Sequence, residues 1–178
     1  MIDTRAKWLE MTMRLLPIGI VAGLGAAMIA SSGASQSPGP DSQLKPQSVQ
    51  LARQGEAALA AGNFEAADDA LELALVIDPR NRQAFIGLAR VAQKQKLYGQ
   101  AIRYTNKALA LEPNDVNALT VQGEAMVEMG AVARAQQNLA KVRKLCGNNA
   151  CPQGTTLAAA IARGPAVAAK TTPAPKTN

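Results

Sequence analysis

The chain has 178 residues, a net charge of +6 and only 3% aromatic residues. It contains no histidine, so the commonest general base and the commonest metal ligand are both missing, and neither catalytic residues nor a metal site are expected. The basic residues are dispersed and few aromatic side chains could stack on bases, which disfavours a nucleic-acid partner. No motif in the sequence predicts a cofactor.

Residues 1–34 are predicted to be an export segment. Arg14 precedes an uninterrupted run of apolar and small residues over 15–30, and small polar residues follow this run. The order of basic, apolar and small residues is typical of a signal peptide. The apolar run is short for a membrane span of about 20 residues, but an uncleaved N-terminal membrane anchor remains the alternative. Three methionines are candidate start residues: Met1, Met11 and Met13.

The export segment also predicts where the rest of the chain lies. The basic residues beside the apolar run stay inside under both interpretations, so the remainder faces the outside. The predicted location is the periplasm, or the inner membrane with the folded part facing the periplasm. Membrane contact is expected only through residues 15–30, and only if the segment is not cleaved.

Residues 35–47 are rich in Pro, Ser, Gly and Gln and have little to bury, which predicts a flexible linker. Ser48 follows the linker and is predicted to be the N-cap of the first helix.

The stretch from Leu51 to Gly147 repeats three times with a period of 34 residues. Pro79 and Pro113 are 34 residues apart, and Gly147 takes the third place in that series. Small residues recur with the same period, in the series Gly55, Ala89, Gly123 and the series Ala67, Ala101, Ala135. A period of this length predicts an all-α stack of helical hairpins. The small residues are expected to let the two helices of a hairpin approach closely.

The three units resemble the tetratricopeptide repeat family. The first unit reads Leu51, Gln54-Gly55, Ala58, Ala67, Leu71 and Pro79. The second reads Phe85, Leu88-Ala89, Ala92, Ala101, Thr105 and Pro113, and the third Leu119, Gln122-Gly123, Met126, Ala135, Leu139 and Gly147. The resemblance implies a right-handed α-solenoid of three hairpins, over 48–81, 82–115 and 116–149. Together with the export segment it indicates an exported bacterial protein of this family.

Residues 153–162 are predicted to form a capping helix, because a terminal repeat needs its exposed apolar side covered. The tetratricopeptide domain would then extend over 48–162. Residues 163–178 are rich in Pro, Ala and Thr and are predicted to be a disordered tail.

The only two cysteines, Cys146 and Cys151, are predicted to form a disulfide. An exported protein meets an oxidising compartment, where such a pair is stable. The bond would close a small loop where the third unit lacks its proline. Two other uses are less favoured. The oxidoreductase spacing has two intervening residues rather than four, and two sulfurs without histidine cannot complete a tetrahedral metal site.

The resemblance also implies a binding site, because the first helix of each hairpin lines a concave groove in this family. The candidate groove residues are Arg53, Glu56, Gln83, Ile86, Arg90, Lys94, Asn117, Thr120 and Glu124. A protein or peptide partner is expected there. Glu56 and Glu124 disfavour capture of a C-terminal carboxylate. The alternating charges could instead satisfy one another across neighbouring hairpins.

The net charges of the three units, −4, +4 and +2, are unequal enough to orient a partner or to favour self-association. We therefore expect a non-enzymatic adaptor or scaffold that mediates protein–protein interactions at the cell envelope. The alternative is a periplasmic thiol–disulfide protein that uses Cys146 and Cys151.

Overall fold

The computed structural model describes residues 43–147 and 151–166, which lie in one compact unit and form seven α-helices and no strand. The predicted export segment 1–34, most of the predicted linker and most of the predicted tail lie outside the described residues. The helices are α1 (Pro46–Ala60), α2 (Phe64–Ile77), α3 (Arg82–Lys94), α4 (Tyr98–Leu111), α5 (Val116–Glu128), α6 (Val132–Cys146) and α7 (Pro152–Arg163).

The helices pack as three hairpins, α1 with α2, α3 with α4, and α5 with α6. Each hairpin stacks on the next, so that the first helices α1, α3 and α5 are neighbours. The last helix, α7, packs against α5 and α6, which is the place that the first helix of a fourth hairpin would take. The predicted fold class, three hairpins with a capping helix, is confirmed.

The second helix of each hairpin begins at an apolar residue, Phe64, Tyr98 or Val132. The first helix begins earlier than predicted, because Pro46 occupies its first turn and Lys45 is the N-cap. Ser48 is therefore not the N-cap, and that prediction was wrong. Its buried Oγ instead donates a hydrogen bond to the Ala74 carbonyl oxygen at 2.7 Å.

A polar pair joins the starts of successive first helices. The Asn81 Nδ2 donates to the backbone oxygen and the Oγ of Ser48, at 3.1 and 2.9 Å. One repeat later the same two positions hold Arg82 and Asp115, which form an ion pair at 2.9 Å. Asn81 and Asp115 also cap the helices that follow them. Each of these side chains therefore fixes both a helix start and the stacking of two hairpins.

The first helices pack closely against other helices at Gly55 and Gly123. A Cβ on Gly55 would lie 2.5 Å from the Leu71 Cγ and 3.1 Å from the Ala67 carbonyl oxygen, both in α2. The expected approach of the partner helix is thus present at Gly55. At Gly123 the nearest contact is Leu157 of α7, whose Cδ1 would lie 2.7 Å from a Cβ. The glycine of the third hairpin makes room for the capping helix.

Among α1 to α7, no helix combines the length and the apolar character needed to cross a bilayer.

Candidate functional site

A groove follows the first helices of the hairpins and continues onto α7. It consists of three adjoining pockets of about 620, 230 and 280 Å³. The first lies between α1 and α3, the second between α3, α5 and α7, and the third between α3, α5 and the C-terminal half of α7. Arg90 borders the first two pockets and Glu124 borders the last two. The pockets therefore form one continuous series.

The structure places eight of the nine candidate residues in this groove. The first pocket takes Arg53, Glu56, Gln83 and Arg90, the second adds Asn117, Thr120 and Glu124, and the third adds Lys94. The exception is Ile86, which is fully buried in a core cluster with Ala89 and Ala118. Helix α3 is enclosed by neighbouring helices and buries seven of its residues, so few of its side chains reach the groove. The prediction for Ile86 was wrong.

Two of the predicted charges satisfy each other. The Arg90 Nη1 donates to both carboxylate oxygens of Glu56, at 2.9 and 3.1 Å, across exactly one period of 34 residues. Both side chains remain about a third exposed, at 36% and 35%. Water screens such a pair, so its contribution to stability is about 0–1 kcal/mol. The sequence offered the alternative that the groove charges satisfy one another across neighbouring hairpins. For Arg90 and Glu56 that alternative is correct.

Glu124 is partly buried in the groove, and this burial raises the pKa of its carboxyl group. Four neighbours lower that pKa and offset part of the effect: a hydrogen bond from Gln93 and the charges of Arg90, Arg163 and Lys94. Burial therefore outweighs these four neighbours at Glu124.

The other polar residues of the second pocket already have partners. The Asn117 Oδ1 accepts a hydrogen bond from the Gln153 Nε2 of α7 at 3.0 Å. The Thr120 Oγ1 donates to the Val116 carbonyl oxygen at 2.8 Å, within α5. Thr120 is also nearly buried, so its hydroxyl contributes little to the groove surface. Asn117 and Gln153 together fix α7 against α5.

Solved structures with the same arrangement of helices are tetratricopeptide domains. The first such domain of human RPAP3 is 23% identical, covers 74% of this chain and 97% of its own, and superposes with a TM-score of 0.60. The Sgt2 domain from Aspergillus fumigatus is 21% identical, with 76% and 91% coverage and a TM-score of 0.61. The TPR2B domain of yeast Sti1 is 17% identical, with 67% and 98% coverage and a TM-score of 0.61. The chain has the tetratricopeptide fold. No protein-family model and no curated protein matches the sequence.

The tetratricopeptide groove contains residues that the sequence analysis missed. Leu44, Val49 and Ala52 provide apolar surface in the first pocket. The spacing of Val49 and Ala52 beside Arg53 could have shown this, because residues three apart share a helix face. Gln153 and Arg163 come from α7, which was expected only to cap the stack. The capping helix is therefore also a wall of the groove.

The predicted disulfide is present at the end of the tetratricopeptide stack. The sulfurs of Cys146 and Cys151 are 2.08 Å apart, and their Cα atoms are 6.0 Å apart. The bond joins the last residue of α6 to the N-cap residue of α7, where the Cys151 Sγ accepts a hydrogen bond from the Gly154 backbone N–H. It holds α7 in place beside the groove. Within the described residues no cluster of three or more His, Cys, Asp or Glu side chains could hold a metal ion.

Proposed function

We propose that this chain is a non-enzymatic adaptor whose groove, between α1, α3, α5 and α7, binds an extended protein or peptide segment. The observation that supports it is the unbroken series of three pockets joined by Arg90 and Glu124. Similar domains have been solved with peptides: Spaghetti (RPAP3) with the HSP90 peptide SRMEEVD, and yeast Sti1 as a TPR2B-domain:pHsp70 complex. These peptides are ligands of those two proteins, and they do not identify the partner of this chain.

The groove chemistry favours a ligand with an apolar anchor followed by polar groups. The first pocket has the largest volume of the three, and Leu44, Val49 and Ala52 supply its apolar lining. Arg90, which could clamp an anion, is already engaged by Glu56. A ligand carboxylate would have to displace Glu56 and would meet its repulsion. The site therefore selects against a segment that ends in a free carboxylate.

A crosslinking experiment tests the adaptor function. A photoreactive residue placed at Gln83 or Asn117 lies in the groove, whereas one at the exposed Gln50 of α1 does not line it and serves as the control. We expect both groove positions to capture the same protein in cells, and Gln50 to capture none of it. The capture should be lost when Arg90→Glu is introduced. Equal capture from all three positions, insensitive to Arg90→Glu, would contradict the proposal.

The cell envelope is the proposed place of action. The basic, apolar and small residues of 1–34 have the order of an export segment. The Cys146–Cys151 disulfide supports the same location, since such bonds persist in oxidising compartments. Cell fractionation of the native protein tests the location. Recovery in the cytosol with both cysteines reduced would overturn it.

A thiol–disulfide function is the second candidate, and one observation favours it. Cys151 is the N-cap residue of α7, and the positive end of a helix dipole favours a negatively charged sulfur. Alkylation in intact cells separates the two candidates. A redox protein would show a thiol-reactive fraction that changes with oxidant, whereas a structural disulfide would leave neither sulfur reactive in any growth condition.

A further inference from the structure

The second helices of the first and third hairpins carry opposite charge. Helix α2 contains four acidic residues and no basic one: Glu65, Asp68, Asp69 and Glu72. Helix α6 contains four basic residues and no acidic one: Arg134, Lys141, Arg143 and Lys144. Because α2 and α6 occupy the same place in units two periods apart, the charges lie at opposite ends of one side of the stack.

These charges form exposed faces rather than scattered points. Glu65, Asp69 and Glu72 are exposed and spaced by four and three residues, on the side of α2 opposite its buried residues. We call these three the acidic face. Burial and the neighbouring Asp69 both raise the pKa of Asp68, so the acids on this helix repel one another.

The corresponding basic face on α6 consists of Arg134, Lys141 and Lys144, all exposed and spaced by seven and three residues. Exposed apolar side chains adjoin both faces. Val76 beyond the acidic face is 78% exposed, and Leu145 beside the basic face is 40% exposed. A partner that binds either face would therefore need charges of the opposite sign, and it could also contact the neighbouring apolar side chain.

We propose that the acidic face of α2 binds the basic face of α6 in a second copy of this chain. The two faces cannot meet within one molecule, because the hairpin of α3 and α4 separates them. Each face has three exposed charged residues on the second helix of a hairpin, and the two faces are opposite in sign, so one sequence supplies both halves of the contact. Opposite potentials across such an interface promote encounter and fix register.

Such a contact is heterologous, so each bound copy keeps one free face and further copies can add. The pockets of the groove are lined mainly by α1, α3, α5 and α7, and the paired faces lie on α2 and α6. The grooves of an assembled chain would therefore stay open. A ligand with repeated binding segments could then engage several grooves at once and gain affinity from their effective concentration.

Charge reversal of exposed residues tests the contact with the full chain. One variant combines Asp69→Lys with Glu72→Lys, and the other combines Arg134→Glu with Lys144→Glu. Lys141 is left unchanged because its Nζ donates to the Pro113 carbonyl oxygen. Sedimentation velocity at about 0.05 M and about 1 M salt measures association, since salt screens exposed charges over about 3 Å at the higher concentration. Circular dichroism verifies that the variants keep their helices.

We expect wild-type chain to self-associate at low salt and to dissociate at high salt. Each variant alone should associate at least about tenfold more weakly, because its two faces then carry the same sign. An equimolar mixture of the two variants should associate again, as should a single chain that carries all four reversals. Association through residues 15–30 would not respond to any of these changes. Glu124→Gln, a groove variant, should leave self-association unchanged.

Three results would overturn the proposal: a wild-type monomer at low salt, association of either variant as strong as that of wild type, or no recovery in the mixture. None of them would affect groove binding, which the crosslinking experiment measures separately.

Discussion

Leu157 lies against the backbone of Gly123, and the two residues are separated by 34 positions, one period of the repeat. The series Gly55, Ala89, Gly123 therefore continues to a leucine in α7. Leu157 is fully buried and fills the space that Gly123 leaves open. At Gly55 the small residue makes room for α2 and at Gly123 it makes room for α7, whereas no described helix follows α7 to pack against Leu157 in the same way. The change from glycine to leucine accordingly coincides with the end of the hairpin stack.

Gly123→Ala should destabilise the protein although alanine favours a helix by about 1 kcal/mol. The new Cβ would lie 2.7 Å from the Leu157 Cδ1, and Leu157 has no exposed surface into which it could move. We expect a loss of about 1–3 kcal/mol in the free energy of unfolding, measured with urea. Gly99→Ala in α4 is the matched control, because a Cβ there meets nothing within 4 Å. It should raise stability by up to about 1 kcal/mol.

Asn81→Ala should cost more than the same change at another helix cap. Asn81 caps α3 and also donates to the buried Ser48, whereas Asn63 caps α2 at an exposed position without a second partner. We expect a loss of about 2–4 kcal/mol for Asn81→Ala and about 1 kcal/mol for Asn63→Ala in urea unfolding. Equal losses would show that the bonds to Ser48 add nothing to the cap.

Glu56→Gln should increase the affinity of the groove for peptides that end in a free carboxylate. The substitution removes the charge that engages Arg90 and repels an incoming anion. Fluorescence anisotropy with a labelled acidic C-terminal peptide should show binding several-fold tighter than wild type. The same peptide with an amidated C-terminus is the control and should gain little. A gain that is equal for both peptides would mean that Glu56 does not discriminate against the carboxylate.

Stability should depend on the ionisation of Asp78. Hydrogen bonds from the Arg80 side chain, and from the backbone N–H groups of Arg80 and Lys45, hold the pKa of Asp78 well below its ordinary value. A carboxyl group with a lowered folded-state pKa stabilises the protein above its unfolded pKa of about 3.9 and loses that effect as the pH falls. The Tm difference between wild type and Asp78→Asn should therefore be constant from about pH 5 to pH 8 and shrink below about pH 4.

Asp69 is an exposed residue of α2, so Asp69→Asn is the control for the loss of one carboxylate. If the Tm difference for Asp78→Asn stayed constant down to pH 2, the stabilisation would not arise from its ionised form.

Replacing both Cys146 and Cys151 by serine should loosen α7. Closing a loop of about six residues contributes roughly 2 kcal/mol in the loop-entropy account. Hydrogen exchange should show the backbone amides of α7 losing protection, while those of α1 and α2 keep theirs. Leu145→Ala, exposed at the adjacent position, controls for a nonspecific effect at the end of α6. Uniform loss of protection in all helices would mean that α7 does not open on its own.

The period of 34 residues predicted the helices well, because most turns carry a local signal. Glycine or proline lies within two residues of the end of six of the seven described helices, and after α3 the residue with positive φ is Lys96. Ser48 was misplaced as a cap because the helix starts at Pro46, and its N-cap, Lys45, lies three residues before Ser48. Such shifts at a helix end depend on the local choice between two adjacent start signals.

The groove was predicted less completely than the helices. Stepping by 34 residues finds equivalent positions, and eight of nine candidate residues line the pockets. Ile86 failed because the face that a residue presents depends on what packs on both sides of its helix, and α3 is enclosed. The contribution of α7 was missed because this helix was expected only to cap the stack, although Leu157 lies one period after Gly123.

The disulfide also determines how a pulling force would travel through the molecule. It bridges a sequence separation of 5 residues and joins the end of α6 directly to the start of α7. Tension applied from the C-terminal side of α7 would reach α6 through the sulfur–sulfur bond and bypass the intervening backbone. The three hairpins lie in series with this bridge and would carry the same tension. A covalent bridge that secures a capping helix thus also makes the solenoid a mechanically continuous tether.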